Sequence, residues 1–595
     1  MPPRDSEPVA VHPSAARRGA VLFLLAAVLA LILARAVLQG RPAALPEVAA
    51  AQLPCVSYAP FRRAGDTPFD PALRIAPQAI EADLRLLKAL TGCVRTYGLD
   101  HGLDAVPAIA RKLGMRVVLG AWIGRDAAAN EIQLRRALEL AREYRDVVQL
   151  LVVGNEVLLR RELAPEALAA LLARARRESP VPVAYADVWE FWLRHGPVLR
   201  EHVDIVAAHI LPYWEDDPVA SGEAVDHVYA VAAQLRQNFG STPVFIAETG
   251  WPAAGRQRGP AVPGRFEQAH FVRAMLARQA TAPLQFNLIE AFDQPWKRAL
   301  EGAMGGAWGL FDADGIQRVP LVGPLPPVPR WFWLPLAAAG GAGVGAIAGL
   351  MAGRLLRRRS TIEAAPAGTD LLALSALAAA GALIAAFALV QAQALPLWSR
   401  NAWEWAAGGT ALLLSIVCGA AAAGRLAQVL QHGVDRARVG VRVGVRVGVV
   451  AAFASRESAG LRLLAAAQAG LLFLAAVDAL GLVFDARYRP LPWPVIAAPA
   501  LLLSALAWLG DRLPAAAREE KLLAAVCAAC ALLVAILEGP ANTQALLYAA
   551  LLLALASASG WPHRAAPGAS GVPGTDAPNS ASAASSAAGA AQRVE

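Results

Sequence analysis

Two kinds of hydrophobic patterning divide this chain. Between residues 53 and 325, short apolar runs alternate with amphipathic segments. The runs are 53–58, 92–97, 115–122, 147–155, 182–188, 203–211, 242–248 and 284–292. Several, such as VVQLLVVGN and TPVFIAE, are continuous Val/Ile/Leu stretches, the composition of parallel strands covered on both faces. Segments such as 78–90, 130–145 and 165–178 place apolar residues at helical spacing between them. Eight strands alternating with helices over roughly 270 residues predict an α/β domain, a closed (β/α)8 TIM barrel. The remainder is different. Residues 20–38 and most of 331–560 consist of apolar runs close to the ~20 residues needed to cross a bilayer.

The pattern predicts spans at 20–38, 331–353, 371–393, 403–424, 461–483, 491–509, 522–538 and 544–559, the last seven forming an all-α membrane domain. The domain boundaries follow: a cytoplasmic N-terminus over 1–18, an anchor over 19–39, a linker over 40–52, the barrel over 53–325, the membrane domain over 326–560 and a disordered cytoplasmic tail over 561–595. The first span follows Arg17 and Arg18, is long, and lacks a small-x-small cleavage site, which favours a retained anchor over a cleaved signal peptide. With the N-terminus inside, the inner pieces hold about sixteen Arg/Lys and the short outer loops about three. That asymmetry supports both ends inside and the barrel outside. The +8 net charge is therefore a topology signal, not a sign of nucleic-acid binding, because the arginines flank the apolar spans. The lipid bilayer is the first expected partner.

Proline density over 318–329 predicts a stiff linker, and RVGV repeats through 438–449 predict a basic cytoplasmic surface or loop. Of five cysteines, Cys418, Cys527 and Cys530 fall in spans. Cys55 and Cys93 lie on adjacent strands of the external domain. An oxidising compartment permits a bridge, but neighbouring parallel strands rarely offer the geometry, and whether the two are bridged is left open by the sequence.

The chemistry collects at the strand ends. Strand four stops at Asn155-Glu156 and strand seven at Glu248, which is followed by Thr-Gly-Trp251-Pro. Strand eight gives Glu290, with Gln294, Trp296 and Lys297 just beyond. Strands one and two give Tyr58, Arg95 and Tyr97, and strand six gives His209, Tyr213 and Trp214. In barrels of this kind, active sites are built at that face. Paired carboxylates do proton and nucleophile work, and aromatic rings offer apolar faces to sugar rings. A lone strand-end glutamate is usually structural; two at matching ends are the kit for cleaving a glycosidic bond. His209 reads as a packed, hydrogen-bonded residue, and the acidic run Glu215-Asp216-Asp217 as a solvated loop, not a metal site. Neither metal nor cofactor is expected.

The strings VRTYG (94–98), VVGNEV (152–157), IAETGWP (246–252), EAFDQPWK (290–297) and WGLF (308–311) give the domain a close resemblance to glycoside hydrolase family 17, the β-1,3-glucanases and glucan transferases. The resemblance covers nearly all of 53–315. It implies a retaining mechanism with Glu156 as acid/base and Glu248 as nucleophile, Asn155 on the sugar 2-hydroxyl, and Glu290 and Lys297 in electrostatic support. Tyr58, Arg95, Tyr97, Tyr213, Trp214 and Trp251 are the further substrate-binding candidates. One departure stands at Gln294, where the family pattern has Glu, removing a charge near Lys297.

The resemblance to bacterial membrane forms implies a multi-pass protein of a bacterial inner membrane, with the barrel in the periplasm, acting on β-glucan by hydrolysis or transfer during its synthesis or remodelling. The competing reading is an accessory membrane subunit of a separate glucan synthase or exporter. A nucleotide-sugar polymerase is excluded by the lack of a sizeable cytoplasmic domain and of its metal-binding Asp and Gln-x-x-Arg-Trp motifs.

Overall fold

A computed structural model describes residues 14–48, 52–357, 367–439, 448–511 and 516–560. Most of the RVGV repeat and the tail 561–595 lie outside the described residues. Eight parallel strands close into a barrel in chain order: β1 Val56–Ser57, β2 Cys93–Arg95, β3 Arg116–Ala121, β4 Val148–Asn155, β5 Val183–Val188, β6 Ile205–His209, β7 Val244–Thr249 and β8 Phe286–Leu288. β1 pairs with both β2 and β8, which closes the ring. Each strand is shorter than its apolar run because the run also includes the turns that leave the sheet.

The helices between strands start where local chemistry allows. Pro77 and Pro165 begin Pro77–Lys88 and Pro165–Glu178, where a missing N–H costs nothing. Asp126 caps Ala127–Glu143 by accepting from the Ala128 and Ala129 N–H groups. Along the strands, Val117, Leu119, Leu151 and Val153 face the helices. Val118, Val152, Ala184 and Ala207 fill the inside of the barrel. Small residues there leave a thin interior plug, above which polar side chains collect.

One open point is resolved and one expectation corrected. Cys55 and Cys93 form a disulfide. They stand one residue before the Val56–Val94 pair of adjacent strands, with Cα atoms 4.5 Å apart, inside the range a disulfide spans. The front of the proline-rich stretch 318–329 belongs to the barrel, not to a free linker. Val319, Leu321 and Leu325 are buried in its core, and Leu325 bridges antiparallel to Ala43.

Beyond the barrel the described residues are helical, with a second apolar core of their own. Apolar helices occupy all eight expected span positions, and six are long and apolar enough to cross a membrane: Ala15–Gly40, Trp333–Ala352, Leu371–Trp398, Ala402–Gln431, Ala459–Phe484 and Arg518–Glu538. Trp493–Trp508 and Thr543–Ser559 are shorter. The barrel sits on the connections between these helices through its C-terminal face. Buried Arg256, after β7, pairs with Glu538 and donates to the Ala486 carbonyl at 2.7 Å. Gln257 exchanges hydrogen bonds with Asn542, Thr543 and Gln544.

The bridge closes a loop with a sequence separation of 38, for which chain entropy predicts about 2–4 kcal/mol. Alkylation of the denatured, unreduced chain should label Cys418, Cys527 and Cys530 alone. Cys93→Ser should lower the unfolding midpoint of the barrel, and five labelled cysteines would refute the bridge.

Candidate active site

A cleft of about 800 Å³ opens at the C-terminal ends of the strands. Asn155, Glu156, His209, Glu248, Glu290 and Lys297 all line it. The chain bends sharply to present the first carboxylate. Gly154 has φ +85°, where a Cβ would lie 2.8 Å from a Val157 methyl. Two residues on, Glu156 takes φ +53°. For a side chain with a Cβ that conformation costs about 1–2 kcal/mol. Strain of this kind at a non-glycine residue points to function. The bend carries the carboxylate off the strand line toward His209.

His209, buried at the end of β6, stands between the two acids. Its Nδ1 is 2.9 Å from Glu156 Oε1 and its Nε2 is 3.6 Å from Glu248 Oε1. One donor atom from each of Glu156, His209 and Glu248 fits within 4.8 Å of the others. Among the described residues this is the group close enough to hold a metal ion; Glu156 already meets His209 Nδ1, and Glu248 accepts from Arg95. An oxygen of each carboxylate thus lies within 4.8 Å of the other, short of the ~6.5–9.5 Å that leaves room for water between two acids.

Arg95 organises the floor. Fully buried, it donates Nη1 to Glu248 Oε1 at 2.8 Å and to the Ala247 carbonyl at 2.9 Å, and Nη2 to Asn155 Oδ1 at 2.6 Å. Burial by itself would raise the Glu248 carboxyl. His209, Arg95, the Tyr97 hydroxyl and Lys297 outweigh it and hold that carboxyl below its usual range. Glu290 behaves differently. Burial pushes it up to about 7, although Lys297 Nζ bonds both its oxygens at 3.0 and 2.9 Å. Asp187, buried behind Glu156 and bonded by the Tyr185 hydroxyl, is likewise pushed up by burial, to about 6.

The remaining candidates separate into those that reach the cleft and those that do not. Tyr97 and Trp214 line it. Arg95 acts from beneath, through Glu248 and Asn155. Tyr58, Tyr213 and Trp251 are corrections: all three are buried in the wall. Tyr58 donates to Asp83, Tyr213 to the Arg256 carbonyl, and Trp251 to the Val262 carbonyl while stacking on Phe271. Gln294 also departs from expectation. Its amide donates to the Ala59 carbonyl at 2.8 Å and accepts from Trp296 Nε1, and its main-chain carbonyl accepts from the Lys297 N–H at 3.0 Å. A glutamate there lacks the donor that Ala59 uses. Glu215 is no solvated side chain, since it accepts from Trp189 and holds His227 above its usual range. The sequence reading missed Trp122 and Arg160, which meet as a cation–π pair on the rim, and Glu301. It also missed Arg487 and Tyr488, which come from the helical half.

Residues 55–309 match the sequence model of the BtgE/BtgC glycoside hydrolase domain. The barrel is thus similar to a glycoside hydrolase domain. The match leaves the helical half uncovered. An Aspergillus fumigatus protein named probable beta-glucosidase btgE is 27% identical over 263 residues, 43% of this chain and 45% of its own length. The chain thus spans under half the length of that relative. A Candida albicans glucan 1,3-beta-glucosidase is 24% identical over 256 residues, 39% of this chain and 83% of its own. Among solved structures, the family 17 β-1,3-glucanosyltransferase of Rhizomucor miehei is 25% identical, with a TM-score of 0.39, covering 45% of this chain and 96% of its own.

Replacing Arg95 with methionine removes a cation that keeps Glu248 ionised. Because the Glu248 carboxyl is depressed, any activity that needs it ionised persists above its pKa and fails as pH falls through it. The Arg95→Met variant should therefore move the acid limb of the pH–rate profile to higher pH and lose about 3–5 kcal/mol of stability, as expected for breaking a buried pair. An unmoved acid limb would show that Arg95 does not set this charge.

Proposed function

We propose that this protein is a membrane-anchored retaining glycosidase acting on β-1,3-glucan, as a hydrolase or a glucanosyltransferase. The observation that carries the reading is the approach of Glu156 and Glu248 within 4.8 Å through His209 at the ends of β4 and β7. The substrate class is supported by the names of the relatives, glucan 1,3-beta-glucosidase among them.

In this reading Glu248, kept ionised by its cationic neighbours, attacks the anomeric carbon. Glu156 delivers a proton to the departing glycosidic oxygen, so that the leaving sugar exits as a neutral alcohol. A water molecule or a second sugar hydroxyl then enters. Glu156 takes its proton, the new C–O bond forms at the anomeric carbon, and the Glu248 ester bond breaks. His209 holds the Glu156 carboxylate in line. Asn155, fixed by Arg95, presents its amide to the sugar beside the reacting carbon. Glu290 and Lys297 balance charge below the ring.

Six helices long enough to cross a membrane and the Cys55–Cys93 bridge support placing the barrel outside a bacterial inner membrane, where disulfides persist. Location in the periplasm and a role in glucan synthesis or remodelling belong to the proposal. A second reading, an accessory subunit that processes glucan from a separate synthase or exporter, is favoured by the seating of the catalytic face on the helix connections.

The test uses the whole chain in detergent with a β-1,3-linked glucohexaose. Glu156→Gln should lose about 10²- to 10⁴-fold in rate and Glu248→Ala at least as much, with the fold intact by circular dichroism. Longer products denote transfer and only shorter ones denote hydrolysis. Near-normal turnover by either variant overturns the site assignment. Reporter domains fused after residues 357 and 439 should report the cytoplasm and one after residue 400 the exterior; the reverse pattern overturns the topology.

A further inference from the structure

The connection over 485–492, between helices Gly448–Phe484 and Trp493–Trp508 of the membrane half, reaches into the barrel's cleft. Its backbone is clamped from below. Arg256 Nη1 donates to the Ala486 carbonyl at 2.7 Å. A Cβ on Gly302, whose φ is +72°, would lie 2.3 Å from the Tyr488 carbonyl oxygen. Only a glycine permits that approach, so the barrel surface is shaped for this connection.

Its side chains continue the aromatic wall. The rings of Tyr213, Trp214 and Tyr488 form a series, with centroids 5.9 and 5.8 Å apart, that leads from the barrel core out to the connection. Arg487 lies 5.4 Å over the Trp214 ring and donates to the Trp214 carbonyl at 3.1 Å. With Arg258 also over that ring at 5.1 Å, guanidinium groups cover the surface on which a sugar was expected to stack. Tyr488 and Arg487 are what the cleft meets there. A second observation points to a ligand at the same end. Glu190, after β5, lines the cleft within electrostatic reach of Glu215 and Asp216, and its buried Oε2 has no hydrogen-bond partner. A buried acceptor left open costs about 1–3 kcal/mol, which a donating hydroxyl recovers.

We propose that Tyr488 and Arg487 of the membrane half, with Glu190 of the barrel, form a sugar-binding subsite that holds glucan units beyond those at the carboxylates and sets the preferred chain length. The inference rests on the glucan reading of the same cleft. Tyr488 offers a ring face and a hydroxyl, Arg487 offers donors, and Glu190 offers an acceptor, the complement of a sugar ring with its apolar face and equatorial hydroxyls.

The test measures kcat and KM of the whole chain on β-1,3-linked gluco-oligosaccharides from the trimer to the heptamer. Tyr488→Ala should raise KM about three- to tenfold on the longer substrates, leave the shortest unchanged and keep kcat within about twofold. Tyr488→Phe should restore most of the loss. Arg487→Ala, which removes an exposed side chain, should show the same dependence on length even if Tyr488→Ala folds poorly. Equal effects at every length, or none at any, overturn the subsite. If the parent chain shows no Glu248-dependent turnover of these sugars, the functional reading fails and the subsite falls with it.

Discussion

A single guanidinium governs this site. Arg95 rises from β2 through the thin plug of the barrel and ties three strand ends together, bonding Glu248 and Ala247 of β7 and Asn155 of β4. A carboxylate as buried as Glu248 would shed its charge unless a cation met it within hydrogen-bonding distance. An arginine is suited to this because it stays charged when buried and its fork reaches two acceptors at once. Without it, Glu248 and Asn155 would lose their shared donor, and the buried Glu248 carboxylate the cation that helps keep it charged.

The carboxylates around this hub are distinguished by surroundings, not by residue type. Glu248 faces His209, Arg95 and Lys297 and is driven toward ionisation. Glu156 stays partly open to the cleft and leans on His209. Glu290, bonded by Lys297, is pushed up to about 7 by burial. A barrel can bring several glutamates to one face and still give them separate duties, because each strand end meets different neighbours. His209 joins the two that matter most, so a change in the charge of one is felt by the other.

The cleft is also a joint product of the two halves of the protein. The barrel turns its catalytic face toward the helical half and is held there by the buried Arg256–Glu538 pair and the hydrogen bonds of Gln257. The helical half therefore also shapes the cleft. Its connections close one end of the cleft, so a long molecule lying in it would meet the surface of the helical half.

The linear pattern determined a great deal. Apolar runs ending in acids specify parallel strands and the face where those acids gather, because both follow from local periodicity. The stretches able to cross a membrane are equally local. What only the tertiary structure decided is which side chains face the cleft. Tyr58, Tyr213 and Trp251 all stand close to strand ends, yet Asp83, the Arg256 carbonyl and Phe271 draw them into the wall. Those partners are distant in sequence, and barrel curvature sets which of them a ring can reach. The Cys55–Cys93 bridge depended on the register of two strands, and the bend at Glu156 on a left-handed backbone that composition does not signal. Tyr488 is the extreme case: it lies 332 positions after Glu156, and only the docking of one half on the other makes them neighbours in one cleft.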